Sequence, residues 1–275
     1  MTESKRTVHL ALIQFESVLC DTVGNTAKAC AMIKEAAAQG ADLCVLPELF
    51  STGYQLNVIG PRMPELMEPV DGPTVTALRE AAREAGCYVI GGIALTHDLT
   101  GVAYNSSVVI DRQGNLLGCY DKQHLWALER FYFRAGDETP VFDTEFGRVG
   151  VMICYDMGYP EVARMLALQG ADLIVCPSAW CAADMDIWKI NAPARALENT
   201  VFLAAVNRYG DEEGLLMPGH THVCNPRGGI IAELEEEIEG VLHVTVDLDD
   251  IASFRATSPY LRDRRPDLYD LVLLP

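Results

Sequence analysis

The chain lacks any run of 18 apolar residues, so nothing in it reads as a membrane-crossing helix. Its opening, MTESKRTVHLALIQF, has neither the length nor the small-residue cleavage site of a secretory signal, and a cytoplasmic location is expected. Basic residues are scarce: 21 Lys and Arg against 39 Asp and Glu leave a formal net charge of −18. A surface that negative repels phosphate backbones and anionic lipid headgroups, so neither nucleic acid nor a membrane is an expected partner. The nearest thing to a basic patch is Arg262-Asp263-Arg264-Arg265, which an acid interrupts. The nine cysteines include no CxxC pair and are odd in number, which argues against a disulfide framework or a zinc ribbon. Cys44, Cys87, Cys176 and Cys224 lie in apolar, strand-like runs, and all but one of the nine are expected to be small buried hydrophobes. No GxGxxG follows the first strand-like segment, which argues against a dinucleotide-binding oxidoreductase.

What remains is an ordinary globular composition, 275 residues with 49% hydrophobic and 22% charged. No linker divides it, and a single domain over 1–275 is expected. Runs rich in β-branched residues alternate with helical patterns, the mark of a layered α/β protein. Strands are expected at Val8–Phe15, Asp42–Leu46, Tyr88–Leu95, Tyr104–Asp111, Val149–Cys154, Asp172–Cys176, Val201–Asn207, Thr221–Asn225, Ile230–Glu233 and Val241–Val246. Helices are expected at Asn25–Gln39, Pro73–Ala85, Pro160–Gln169 and Ile187–Glu198, with Pro73 and Pro160 in first turns and Gly40, Gly86 and Gly170 at helix ends. Gln39-Gly-Ala-Asp-Leu-Cys-Val-Leu-Pro47 and Gln169-Gly-Ala-Asp-Leu-Ile-Val-Cys-Pro177 match at seven of nine positions. Either two segments converged on a favourable helix–turn–strand sequence, or the two halves of the chain are related. The second reading gives a four-layer α-β-β-α sandwich of two related sheets. Glu48 and the segment after Pro177 would then emerge at equivalent strand ends, where open α/β sheets carry their sites.

Three residues stand where the chemistry is informative. Cys154 ends an apolar strand-like run just before a turn and the helix beginning at Pro160, a place where a thiol can be exposed and activated. A cysteine nucleophile usually takes a histidine base, but none of the six histidines is an obvious one. His9, His97 and His243 lie in or beside strand patterns, His124 stands apart by context alone, and His220-x-His222 has no third metal ligand nearby. Glu48 follows Leu43-Cys-Val-Leu-Pro47, and Lys122 follows Leu116-Leu-Gly-Cys-Tyr-Asp121. Each is a solvated strand end or a charge at the mouth of a buried strand. With Cys154 they make a base, a cation and a thiol, and no histidine is required.

Leu46-Pro-Glu48-Leu-Phe-Ser-Thr-Gly-Tyr54, Tyr120-Asp-Lys122-Gln-His-Leu125 and Ile153-Cys154-Tyr-Asp-Met-Gly-Tyr-Pro-Glu161 resemble, in order, the three signature segments of the nitrilase superfamily of carbon–nitrogen hydrolases. Gln14, Glu198-Asn199, Asn207-Arg208, Gly219-His220, Asn225-Pro226-x-Gly228 and Arg262-Asp-Arg-Arg-Pro-Asp-Leu-Tyr269 also match family habits, so the likeness covers nearly the whole chain. The resemblance implies the α-β-β-α sandwich and a homodimer or higher homo-oligomer, with the extended tail of about 250–275 at the dimer interface. It implies Cys154 as nucleophile, Glu48 as proton carrier, and Lys122 with the backbone N–H after Cys154 as oxyanion holders. The family's second glutamate falls on Glu129, which would orient the lysine or the substrate or else be an exposed helix acid. No cofactor and no metal are implied.

The substrate is a small molecule. Family nitrilases usually follow the nucleophile with Trp-Glu, whereas this chain has Tyr155-Asp156, as in amidase-like branches, so an amide is favoured over a nitrile. Omega-amidases resemble Cys-Tyr-Asp-Met-Arg at this point, and the arginine position here is Gly158, which removes one bidentate carboxylate clamp. Tyr54, Tyr155 and the loop Ser178-Ala179-Trp180 are expected to complete the substrate pocket, while Phe131-Tyr-Phe133 is either pocket or core. The expected activity is hydrolysis of a small amide through a cysteine thioester. The alternatives are N-carbamoyl hydrolysis or nitrile hydrolysis with the same triad, and a catalytically silent binding or scaffold member.

Overall fold

Strand Thr7–Glu16 shows in one segment how the layers arise. Val8, Leu10 and Leu12 face one core and Ala11, Ile13 and Phe15 another, and all six are fully buried. A strand apolar on both faces has to be covered on both sides. Helices Thr22–Ala38 and Pro73–Ala85 supply one cover through residues such as Ala29, Ile33, Val75 and Leu78. A second sheet supplies the other, through Val149, Val151, Leu173 and Val175.

The computed structural model describes residues 6–97, 99–235 and 237–269. Among them, nine strands form the first sheet, in the spatial order Leu215–Pro218, Arg208–Glu212, Thr7–Glu16, Leu43–Val45, Tyr88–Thr96, Ala103–Ile110 and Leu116–Asp121. Gly240–Asp247 also pairs with Thr7–Glu16, and Glu68–Pro69 with Tyr88–Thr96. Six strands form the second: Ile230–Glu233, His222–Cys224, Phe202–Val206, Leu173–Pro177, Arg148–Val151 and Val141–Asp143. Helices Pro160–Leu168 and Met185–Asn199 lie on its far side, with Val162, Leu166, Trp188 and Ala192 buried, which completes the expected four layers. No helix among the described residues is long and apolar enough to cross a membrane.

The sequence echo is realised bond for bond. Gly40 and Gly170 both take left-handed φ, +96° and +92°, at the ends of their helices. The Ala41 N–H then donates to Ala36 O at 3.2 Å and the Ala171 N–H to Leu166 O at 3.0 Å. Asp42 Oδ2 accepts the His9 N–H at 2.9 Å, and Asp172 Oδ2 accepts the Arg148 N–H at 3.2 Å. The parallel strands leaving these turns pair alike, Leu43 opposite Tyr88 and Leu173 opposite Phe202. That register sets Gly86 against Thr200, both left-handed.

Several boundaries differ from expectation. The strand expected to reach Cys154 ends at Val151, because the chain turns into a tight helical turn over Cys154–Gly158. Strands Val141–Asp143, Arg208–Glu212 and Leu215–Pro218 and helix Asp250–Thr257 carried no clear periodic signal. Cys20, Cys30, Cys119 and Cys181 are only half-buried, so the expectation of eight buried cysteines is corrected: Cys20 lies just before helix Thr22–Ala38, Cys30 on it, Cys119 within strand Leu116–Asp121 and Cys181 in a loop. Of the expected C-terminal tail, residues 270–275 lie outside the described residues.

One glycine determines where the first strand ends can meet. A Cβ on Gly92 would lie 2.6 Å from Glu48 Cα and 2.7 Å from Pro47 O, both backbone atoms that cannot swing aside. The Glu48 turn therefore rests directly on strand Tyr88–Thr96, held by the Phe50 N–H to Gly92 O bond at 3.0 Å. Gly92→Ala is expected to cost roughly 1–3 kcal/mol by overpacking. By displacing Glu48 it should also lower turnover at least tenfold at temperatures where circular dichroism still reports a folded protein.

Candidate active site

The acid, the cation and the thiol each arrive just beyond a strand. Glu48 stands three residues after strand Leu43–Val45 and is fully buried. Lys122 directly follows strand Leu116–Asp121 and is also fully buried. Its Nζ donates to Glu48 Oε1 and to Glu129 Oε1, both at 2.7 Å. Glu48 Oε1 also accepts from Asn105 Nδ2 at 2.7 Å, and Oε2 accepts the Ala179 N–H at 2.8 Å. Glu129 opens the short helix Glu129–Tyr132; its Oε2 accepts the Trp126 N–H at 3.0 Å and its Oε1 accepts the Tyr54 hydroxyl. It is a fully buried acid, not an exposed helix residue. An ammonium carries three N–H donors, so two are committed here and one remains for a further acceptor.

Cys154 sits at φ +48°, a left-handed backbone that costs an L-residue on the order of 1–3 kcal/mol and persists only where its surroundings hold it. Asp156, fully buried, does the holding. Its Oδ2 accepts the Ile153 N–H at 3.0 Å and the Tyr120 hydroxyl at 2.7 Å. Its Oδ1 accepts the His124 N–H at 2.9 Å and meets the His124 ring Nδ1 at 2.8 Å. One carboxylate thus ties the cysteine turn to residues on both sides of Lys122. Behind the turn, Arg195 Nε donates to Met157 O at 2.9 Å.

The electrostatics follow from burial and neighbours. Burial pushes the Cys154 thiol well above its ordinary range; Glu48 adds to this, and Lys122 opposes it. Burial works against the charge on Lys122, but Glu129 and Glu48 outweigh it and hold the ammonium well above its usual value. Glu129 is raised by burial and by Glu48, with Lys122 opposing. The site therefore pairs a protonated thiol with a carboxylate and a fixed cation.

Cys154 opens into a cavity of about 260 Å³, walled by Tyr54, Trp126, Tyr155, Ala179, Trp180 and Leu215 among others. Four of the five residues expected to bind substrate are there. Ser178 is not: its hydroxyl turns back to Cys176 O at 3.2 Å, inside the sheet. Phe133 is core, whereas Phe131 is 80% exposed and belongs to neither pocket nor core. Tyr54 does more than form a wall, since its hydroxyl is bonded to Glu129. Asn105, Trp126, Asp184 and Asn191 were not singled out from sequence, although all four touch the Glu48 cluster or the cavity. Asn105 left no clear signal, since it stands beside Ser106 and Ser107 in the same strand.

The opposing effects on Cys154 set the sign of two shifts in its alkylation by iodoacetamide. In Glu48→Gln the thiol loses the carboxylate that disfavours its ionisation, and the pH midpoint of alkylation should fall. In Lys122→Met it loses the favouring cation, and the midpoint should rise. A Glu48→Gln midpoint at or above that of the unmodified chain would contradict the arrangement.

Comparison with known proteins places this geometry. Residues 9–256 match the family model described as carbon-nitrogen hydrolase. A probable nitrilase of Schizosaccharomyces pombe is 36% identical, covering 97% of this chain and 99% of its own length. An omega-amidase of Homo sapiens is 34% identical, covering 94% of this chain and 96% of its own. A solved amidase of Nesterenkonia, in which the acetamide moiety of fluoroacetamide is covalently added at the active-site cysteine, matches with a TM-score of 0.84 at 28% identity. That match covers 97% of this chain and 96% of the amidase. On these matches the chain belongs to the carbon–nitrogen hydrolase family of the nitrilase superfamily.

Proposed function

We propose that the protein hydrolyses the carbon–nitrogen bond of a small amide through a thioester on Cys154, releasing ammonia and a carboxylic acid. The observation that carries this reading is the Lys122 ammonium, bonded to two fully buried carboxylates and electrostatically coupled to a thiol that opens into an apolar cavity. The sulfur attacks the amide carbon as Glu48 takes the thiol proton, because a thiol held above its usual range needs a base in that step. The oxyanion that forms gains the third Lys122 N–H and the Tyr155 backbone N–H. Losing one such donor costs about 10²–10³ in rate. Glu48 returns its proton to the departing nitrogen, which leaves as ammonia. Water then gives a proton to Glu48 and attacks the thioester; the acid leaves, and the proton restores the thiol. One amide and one water become one acid and one ammonia, and no cofactor is needed. Glu129 and Tyr54 position the lysine. A thiol with this task has to stay reduced, which supports a cytoplasmic location.

The cavity narrows the substrate. Among the described residues, neither lysine nor arginine lines it, and the carboxylate-bearing Asp184 does. A substrate carboxylate would be left without a partner there, a costly arrangement away from water. Trp126 and Tyr155, whose rings meet edge to face at 4.7 Å, and Trp180 offer apolar walls. The acyl group is therefore uncharged and apolar, or carries a positive charge.

A panel of amides, N-carbamoyl compounds and nitriles tests this. Amides should release ammonia and acid only, and intact mass should show an acyl adduct that Cys154→Ala lacks. Carbon dioxide release from carbamoyl compounds alone would move the assignment to that class. No adduct and no ammonia from any class would leave a silent scaffold. A further test uses Gly158, which lines the cavity and where an added Cβ meets nothing within 4 Å. Gly158→Arg should lower KM for an amide bearing a distal carboxylate at least tenfold while changing turnover of a neutral amide only a few-fold. An unchanged KM would show that charge at this wall does not select the substrate.

A further inference from the structure

Away from the cavity, three potential metal-ligating side chains converge on the edge of the first sheet. His97 follows strand Tyr88–Thr96, and Cys119 and Asp121 lie two apart on strand Leu116–Asp121, hence on one face of it. One ligand atom from each, the imidazole nitrogen, the thiol sulfur and a carboxylate oxygen, lies within 4.8 Å of the other two. His97 Nε2 is 2.9 Å and 3.0 Å from the two Asp121 oxygens, and the Ser106 hydroxyl donates to Asp121 Oδ1. The His97 ring is also set against Tyr104, with centroids 4.7 Å apart. All three ligand residues are half-buried, so the cluster is reachable from solvent yet fixed by its neighbours.

We propose that His97, Cys119 and Asp121 form a binding site for one divalent ion of the zinc type, with water as the fourth ligand. With metal bonds of about 2.0–2.3 Å, tetrahedral ligands stand roughly 3.3–3.8 Å apart, so the His97–Asp121 pair, now at 2.9 Å, would open by a few tenths of an ångström and the longer separations, within 4.8 Å, would close by up to about 1 Å. One nitrogen, one sulfur and one oxygen donor favour zinc or cobalt over magnesium or calcium, which take all-oxygen shells. Binding replaces the His97–Asp121 hydrogen bond with two metal bonds and converts the Cys119 thiol to a thiolate, its proton leaving to solvent. Burial and the charges of Asp121 and Glu138 push that thiol up to about 11, so in the metal-free chain the proton is present to be displaced. The site adjoins the catalytic cluster through the backbone: Asp121 precedes Lys122, whose N–H donates to Asn105 O at 2.9 Å and whose carbonyl accepts the Gly136 N–H at 3.0 Å. An ion there would anchor the end of the strand that carries the ammonium. The inference is independent of which bond the enzyme hydrolyses.

The test is a cobalt titration of the full chain, stripped of metal and carrying Cys154→Ala so that the catalytic thiol cannot contribute. One cobalt per chain should bind with a thiolate-to-cobalt charge-transfer band, and zinc should displace it. Cys119→Ser should abolish the band. His97→Gln, at the accessible rim, should weaken binding by about 10–100-fold with unchanged thermal unfolding in the absence of metal, which keeps the test valid should Cys119→Ser fold poorly. Absence of the band at saturating cobalt, its persistence in Cys119→Ser, or equal affinity in His97→Gln would leave only a histidine–carboxylate pair and overturn the proposal.

Discussion

The site depends on one ammonium being held between two carboxylates away from water. Lys122, Glu48 and Glu129 are all fully buried, and removing three charges from solvent is expensive unless each is paired and hydrogen-bonded. The structure meets that condition by supplying partners to each acid: Asn105 and the Ala179 N–H, both distant in sequence, for Glu48, and the distant Tyr54 with the nearby Trp126 N–H for Glu129. Burial first, and then the two carboxylates, push the Cys154 thiol up and outweigh the opposing Lys122 cation. In the proposed reaction the thiol therefore relies on Glu48 as its base, and a depressed thiol value plays no part.

The fold provides those partners through its internal repeat. Two helix–turn–strand units with the same bonds deliver Pro47 and Pro177 to facing strand ends, one in each sheet. The residues that follow, Glu48 and the Ser178-Ala179 pair, are therefore brought together across the sheet–sheet boundary. The two halves perform different tasks, the first supplying the carboxylate and the second a backbone N–H that fixes it.

Much of this is legible in the amino-acid sequence. Glu48 and Lys122 stand out because each follows a strand-like run, where a charge is costly unless paired, and Cys154 because it ends such a run just before a turn and a helix. The layers were legible because Thr7–Glu16 and its neighbours are apolar on both faces. What escaped were residues whose importance lies in a partner far along the chain. Asn105 reads as a polar lapse in a strand until Glu48 is seen opposite it, and Asp156 as a turn residue until it is found 2.9 Å from the His124 N–H. Asp184 and Trp126 lie in stretches with no period to read. The end of the strand before Cys154 was misplaced because Met152 and Ile153 are as apolar as the strand itself. The turn that stops it is imposed by Asp156 capturing the Ile153 N–H.

Asp156 also separates what can change in this site from what cannot. It cross-links the cysteine turn to the segments flanking the lysine, and so makes the reactive centre a single rigid unit that tolerates little revision. Trp126, Gly158 and Asp184 are not among its hydrogen-bond partners, and Gly158 has open space before it. On the proposed reading, drift at those positions would retune which molecules are accepted while leaving the carboxylate network intact, a division of labour that makes the scaffold evolvable.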